Sequence, residues 1–456
     1  MTAIVTDSLR RKLAENFLDE VNNGNDTNEY YIGIGKSDTY NDLDTVVDPT
    51  RTRREEREIR NNLQSVKKVA AASFVIPRYN WTSGTIYTGW NDSSVGIPQN
   101  SYYVLTEDNE VYICVQQGKN ANGVANTSTV KPSYTDAGVT QLQAFETADG
   151  YRWKFMYALS ATRAANFLSA GFVPVEKVDW DTYGDSAGLN TFELQQLAIQ
   201  KNAVAGQIIG ATITSGGSGY SSAPTVTIYG NGSSAAATAF IAGGSVVKIE
   251  MNNESAACGN NYDYASIDIT GGGGTGAEAR PIISPVEGIG ADPREDLKAN
   301  AVMLNIKPDG TENGDFIVDN DFRQIGVFRN LKIFDSDARF TLASGRAMRY
   351  MQMNALATSF TVDKLIRGVS SNAAAYIDDI DSDLIYYHQN ETTGFIPFQN
   401  SETIDESDGT GTGVISDATL HAPVDAHSGE VLYIENRTRI IRSADQQEDI
   451  KAIIRV

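Results

Sequence analysis

The stretch TITSGGSGYSSAPTVTIYGNGSSAAATA, residues 212–239, decides the fold class of this chain. Glycine, serine and other small residues fill it, so three readings compete: a loop gripping phosphate, a flexible linker, or folded β-structure. The run TVTI within it separates them. Threonine alternates with valine and isoleucine at period two, which puts one set of side chains on each face of a half-buried strand. A flexible linker carries no such period. The stretch also has a second copy. SGYSSAPTVTIYGNGSSAAATAFI (218–241) matches NNYDYASIDITGGGGTGAEARPII (260–283), with Tyr220 on Tyr262, Ile228 on Ile269 and Gly230 on Gly271. Upstream, GQIIGATI (206–213) resembles GSVVKIEM (244–251). The period is about 40 residues, the length of a repeated supersecondary unit. Each unit reads as a strand, a glycine turn, an alternating strand, a second glycine turn and an alanine-rich strand.

The phosphate reading fails on context. Gly271, Gly273 and Gly276 fit G-x-G-x-x-G after a strand, but that fingerprint needs a helix N-terminus directly afterwards, and Pro281 and Pro285 follow instead. GIGKSD (33–38) places Lys36-Ser37 after Gly35 as in a P-loop, yet the earlier glycine position holds Tyr30.

Bulk properties narrow the function. A chain of 456 residues predicts two to four domains. Its net charge of -21 repels phosphate backbones and anionic lipid, so neither nucleic acid nor a membrane surface is expected as a partner. Such a surface suits docking onto basic patches of another protein. The two cysteines, Cys114 and Cys258, do not make a disulfide framework and are expected as buried free thiols. MTAIVTDSLRRKLAENFLDEV lacks the basic-then-apolar order of a signal peptide, and no apolar run reaches bilayer length, so synthesis in a cytoplasm without export is expected.

Outside the repeat, Thr6 or Asp7 can cap a helix running to about Val21, with Leu9, Leu13, Phe17 and Leu18 at helical spacing. EYYIGIGKSDTY reads as a strand ending in a glycine turn. A second helix is expected over 51–70, with Ile59, Leu63 and Val66 on one side and Arg and Glu along a solvated face. SYYVLTEDNEVYICVQ reads as a hairpin turning at Glu107-Asp108-Asn109, GYRWKFMYAL as an apolar strand, and DPREDLKANAVMLNI as part loop and part helix or strand. FRQIGVF reads as another strand, and GEVLYIENRTRIIRSADQQEDIKAIIRV as two strands around a polar turn. In the first of those two, Val431, Tyr433 and Glu435 are expected on one face, with Leu432 and Ile434 on the other. The fold class expected is mainly β (α+β): an antiparallel sheet or sandwich core, a few peripheral helices and inserted small β-modules. The expected division is 1–203 as the N-terminal core, 204–285 as the inserted repeat, 286–348 as core, 349–420 as a second inserted β-module and 421–456 as C-terminal core strands.

Local signatures for chemistry are weak. Asp379, Asp381 and Asp383 alternate as in a calcium loop, but the sixth and twelfth positions hold Leu384 and Asn390, so a solvated hairpin turn outweighs a cation site. His388, His421 and His427 lie far from either cysteine in sequence, and no nucleophile motif surrounds them. Carboxylates are too abundant for any one pair to mean glycosidase chemistry. No cofactor is expected. The 21 tyrosines, clustered at 30–31, 102–103 and 386–387, are expected first as half-buried strand residues and second as interface anchors.

Five blocks in order along the chain resemble a known family. They are IGIGKSD, VIPRYNW (75–81), DGYRWKFMY (149–157), DNDFRQIGVF (319–328) and the closing SGEVLYIENRTRIIRSADQQEDIKAII. Together they are similar to the baseplate wedge protein, gene product eight, of T-even-type contractile-tailed bacteriophages. The chain is longer than that prototype, with the excess in the glycine-rich repeat and in 349–420, and Thr438-Arg439 stand where the prototype has prolines.

The resemblance implies a non-enzymatic structural subunit of the virion tail baseplate, assembled in the host cytoplasm. It implies a homodimer set beside counterparts of gene products six, seven and ten. The interface candidates it suggests are Pro77, Arg78, Trp81, Asp149, Gly150, Trp153, Phe322, Arg323, Gln324, Glu435, Asn436 and Arg437, for each of which core or turn structure is an equal reading. The alternative is a glycan-binding tail adhesin or spike-like protein, since glycine-rich β-modules with tyrosines are compatible with sugar stacking.

Overall fold

Antiparallel strands dominate the chain and helices are few, which is the mainly β class that the period-two patterns predict. The computed structural model describes residues 4–22, 28–96, 101–134, 142–179, 188–252, 258–310, 312–318, 321–357, 359–443 and 447–455. The chain forms two compact units. One comprises 1–15, 73–302 and 455–456; the other comprises 16–72 and 303–454.

In the first unit, a four-stranded sheet runs in the order Tyr103–Leu105, Glu110–Gln116, Arg152–Ala158, Phe145–Glu146. The first two strands are the expected hairpin, with Asn109 in the left-handed region at φ 60°. Alternation puts Val104, Tyr112, Cys114, Trp153 and Phe155 on one buried face, where Ile199 of the helix Thr191–Lys201 joins them. Aromatic edges fill this core: Tyr87 meets Trp153 edge-on at 5.5 Å, and Tyr112 meets Phe155 at 5.6 Å. Both cysteines are buried free thiols, as expected.

The glycine-rich region of this unit is folded, and its two copies clasp each other. Thr225–Gly230 pairs with Ala265–Thr270, joining the alternating strands of the two copies. The closing strand of each copy pairs with the opening strand of the other: Ala237–Ala242 with Ser245–Met251, and Thr275–Ile283 with Ile208–Ser218. The tyrosines lock this exchange. The Tyr220 N–H donates to the Gly244 carbonyl (3.0 Å) and the Tyr262 N–H to the Gly206 carbonyl (3.1 Å). The Tyr220 ring lies on Gly272 and Gly274, and the Tyr262 ring on Gly230 and Gly232. A Cβ at Gly274 would come 2.5 Å from Tyr220 Cγ, and one at Gly232 would come 2.5 Å from Tyr262 Cγ. These glycines give a ring room to lie against backbone, and Gly271 leads into another strand rather than a helix.

In the second unit, a five-stranded sheet runs in the order Ser344–Arg346, Leu63–Lys68, Tyr30–Gly35, Asp321–Arg329, Glu430–Ile441. Gly33 faces Gly326 across the central pair. Together they open a shallow seat. A Cβ at Gly33 would come 2.6 Å from Leu63 Cδ1, and one at Gly326 would come 2.5 Å from Ile59 Cδ1. The helix Arg53–Asn61 drops Ile59 into that seat, beside Leu63, Val66, Phe328 and Phe340. The glycines of IGIG therefore serve packing. At Gly35 the neighbour is the Asn62 carbonyl, which also takes the Lys36 N–H at 3.0 Å.

Segment 349–421 closes into a six-stranded antiparallel barrel. Its strands are Arg349–Met353, Leu365–Gly368, Ala374–Asp381, Leu384–His388, Thr403–Glu406 and Thr412–His421. Met351, Ile366, Ile377, Ile385, Ile404 and Ile415 fill it, one from each strand.

Three expectations need correction. The helix expected over 51–70 ends at Asn61, and Leu63–Lys68 is a strand. Pairing with Tyr30–Gly35 outweighs the local helical spacing of Leu63 and Val66. The first helix, Asp7–Asn22 and capped by Thr6 Oγ1 on the Leu9 N–H, does not bury Leu9 and Leu13. Ion pairs Arg11–Glu295 and Glu15–Arg294, both 3.0 Å, fix a different face of it against the short helix Pro293–Asp296. In Glu430–Ile441, the register skips Leu432, so Val431 and Ile434 both pack on the sheet core instead of lying on opposite faces. No helix among the described residues is long and apolar enough to cross a membrane.

Candidate functional site

The twelve candidates from these blocks lie in three places, where they tie loops to strands or pack in the core. At the end of Ala71–Pro77, the Pro77 carbonyl accepts from Tyr103 Oη (2.7 Å). The Arg78 N–H donates to the Gly171 carbonyl (2.8 Å) and its Nη1 to the Ser169 carbonyl (3.0 Å). Trp81 packs on the aromatic core and donates Nε1–H to Ser128 Oγ (3.1 Å).

Asp149 and Gly150 make the turn before Arg152–Ala158. The Asp149 carboxylate accepts the backbone N–H groups of Thr129 (2.7 Å) and Val130 (3.0 Å). Burial acts to raise its carboxyl, but hydrogen bonds from Thr147 and from the backbone at 129, 130 and 151 win, so it is held below the usual carboxylate range. Gly150 sits at φ 82°, which excludes most other residues. Trp153 is wholly buried.

In the second unit, Phe322, Arg323 and Gln324 are also buried. Arg323 grips Asp44 through Nε at 2.9 Å and reaches the Ser37 carbonyl. Gln324 Nε2 donates to Asn436 Oδ1 (2.8 Å), and Asn436 Nδ2 to the Val47 carbonyl (2.9 Å). Tyr40 Oη donates to the Arg323 and Arg437 carbonyls. Glu435 takes Arg437 Nη2 at 2.7 Å and Tyr433 Oη at 2.7 Å. DFRQ and YIENR together pin the segment 40–47 to the sheet. Of the twelve candidates, Arg437 alone has an exposed side chain of any reach.

The aspartates of DDIDSDL do not converge. Asp379 pairs with Arg346 (2.9 Å), Asp383 accepts from Gln352 Nε2 (2.9 Å), and Asp381 accepts from Ser382 Oγ (3.1 Å) at the hairpin turn. Among the described residues, no three His, Cys, Asp or Glu side chains gather as metal ligands.

Two buried charge groups had no local sequence signal. Lys154 donates to the Ile289 carbonyl (2.6 Å), and the Gly290 N–H donates to Asp296 Oδ2 (2.6 Å). Burial pushes the Lys154 amine down to about 8 and the Asp296 carboxyl up to about 8. In the second unit, Asp378 is wholly buried between Ser37 Oγ (2.7 Å) and His388 Nδ1 (2.8 Å). The carboxylate sits between hydroxyl and imidazole, so the imidazole cannot draw a proton from Ser37, and this is not a nucleophile triad. Burial opposes protonation of His388, but Asp378 prevails and its pKa is raised.

The outward surfaces carry what remains. Ile4 and Val5 are exposed before the first helix, and Leu9 and Leu13, one turn apart on it, are 49% and 46% exposed. On the repeat, Tyr229 in the strand Thr225–Gly230 and Tyr264, just before the strand Ala265–Thr270, are 57% and 67% exposed. Neither a scan against models of known protein families nor a search of curated proteins finds a match to this chain.

Proposed function

We propose that the chain is a structural subunit of a contractile phage-tail baseplate. It acts as a homodimeric scaffold that joins neighbouring wedge proteins during tail assembly, host attachment and contraction. Its partners are counterparts of gene products six, seven and ten, its place is the virion tail, and it performs no enzymatic step. The five ordered blocks carry the baseplate part of this reading. The observation that carries the assembly part is the exposed stripe of Leu9 and Leu13 on a helix held by ion pairs on another face. Burying such a stripe against another chain removes apolar surface from water at about 25 cal/mol per Å². Structural interfaces of this kind bury roughly 2,000 Å² or more in total.

Co-sedimentation with recombinant wedge partners tests the reading. The unaltered chain enters the complex, and the double substitution Leu9→Glu with Leu13→Glu is excluded from it while keeping the same circular dichroism. A chain that ignores every wedge partner refutes the baseplate role.

The exposed rings of Tyr229 and Tyr264 favour one second reading, a glycan-binding tail adhesin, because exposed aromatic rings can stack on sugar. A glycan array separates the two: binding abolished by Tyr229→Ala and Tyr264→Ala supports the adhesin, and no binding removes it.

A further inference from the structure

All three histidines of the chain, His421 and His427 near each other in sequence and His388 distant from both, line one cavity of about 70 Å³ in the second unit. It lies at one end of the barrel, where Arg349 sits in register with both Tyr387 and His421. Barrel mouths are common ligand positions. One water takes up roughly 10–15 Å³ by this measure. The space therefore admits several waters or one tetrahedral oxyanion.

The lining is cationic on a chain whose net charge is -21. Two guanidinium groups, Arg60 and Arg349, face a single carboxylate, Asp425, and that carboxylate already accepts the His427 N–H at 2.9 Å. Arg60 is spent on carbonyls, donating to those of Ala426 (2.8 Å), Ser428 and Gly429 (2.9 Å), so it supplies field and rigidity. Arg349 and the rings of His421 and His427 are different: among the described residues they have no hydrogen bond or ion pair. His421 is fixed in place by Phe334, stacked at 3.9 Å and 12°. The Arg349 guanidinium, the stacked His421 ring and the His427 ring around this space supply the charge-assisted donors that an oxyanion needs.

We propose that this cavity is an oxyanion-binding site, with Arg349, His421 and His427 as the donors. The ligand is a phosphate-like ion or a carboxylate presented by a neighbouring chain. Binding strengthens as pH falls, because the imidazoles must be protonated to donate from both nitrogens. Burial and Arg349 hold His421 low against Asp335. Burial, Arg60 and Arg349 hold His427 low against Asp425. An anion in the cavity reverses that repulsion. His388 also lines the cavity, but its ring is already held by Asp378, and burial, Asp378, Asp38 and Lys36 set its protonation, so it is the least responsive of the three.

The test uses the full chain labelled at histidine and titrated by NMR. With inorganic phosphate, the pKa values of His421 and His427 should rise by up to about one unit, and His388 should move much less. Arg349→Gln should weaken binding at least about tenfold, with unchanged amide spectra elsewhere as the check on folding. Sodium acetate and a short acidic peptide form the other arms: phosphate binding best identifies a free ion, and the peptide binding best identifies a docked carboxylate, and either supports the site. Equal shifts in sodium chloride at matched ionic strength, or undiminished binding by the Arg349→Gln chain, overturn it.

Discussion

Replacing Gly326 by alanine probes the seat that joins the helix Arg53–Asn61 to the five-stranded sheet. The new Cβ would lie 2.5 Å from Ile59 Cδ1 and 2.8 Å from Phe328 Cε2. Carbon atoms in contact prefer about 3.5–4.0 Å. Relieving such an overlap costs about 1–3 kcal/mol, and about 0.4–1 kcal/mol returns because alanine has less freedom in the unfolded chain. The net loss expected is about 1–2 kcal/mol. Ile59→Val alone removes the Cδ1 methyl and costs about 1 kcal/mol. Combined, the two changes should interact: the closest clash is gone, and the double variant should be more stable than the sum by about 1 kcal/mol. Phe328 remains close and prevents full recovery. The described tryptophans, at 81, 90 and 153, fall in the first unit, so their fluorescence does not follow this region. Hydrogen exchange read by mass spectrometry across Tyr30–Gly35 and Asp321–Arg329, through a urea series, does. Additivity within about 0.5 kcal/mol would show that Ile59 does not occupy the seat and refute the packing described.

Two other perturbations test separate parts of the structure. Asp378→Asn should lower the His388 pKa below the ordinary imidazole value, since burial then acts with little opposition. Because the folded-state pKa is raised, the stabilising effect of the pair is complete below about pH 6.5 and fades as pH rises through the folded value. The variant should therefore lose most stability, about 3 kcal/mol, on the acid side, as measured by urea unfolding at several pH values. Tyr220→Ala and Tyr262→Ala should each cost about 3 kcal/mol and should raise exchange in both copies of the repeat, because each ring rests on the glycines of the other copy. Loss of protection confined to one copy contradicts the exchanged arrangement.

The repeat was legible because its information is local. Alternation within TVTI and matched Tyr and Gly positions describe strands and turns without reference to the rest of the chain. The exchange of strands between copies was not legible, since either pairing satisfies the same pattern. The helix expected over 51–70 shows the opposite case: Leu63 and Val66 suit a helix by spacing, but the sheet needs them as a strand beside Tyr30–Gly35. The seat formed by Gly33 and Gly326 shows only when the two strands are placed side by side. Arg323 and Asn436 stood among the interface candidates through the family resemblance; their partners within the chain, Asp44 and Val47, lie in a loop whose path the sequence does not reveal. The three histidines carry no motif, and only the fold brings His388 to the cavity that His421 and His427 line.

Sedimentation equilibrium of the purified chain is the most direct measurement of the scaffold claim. The account predicts a species of twice the monomer mass that dissociates when Leu9 and Leu13 are both changed to glutamate. A monomer at every concentration, or a stable trimer unaffected by those changes, would contradict it.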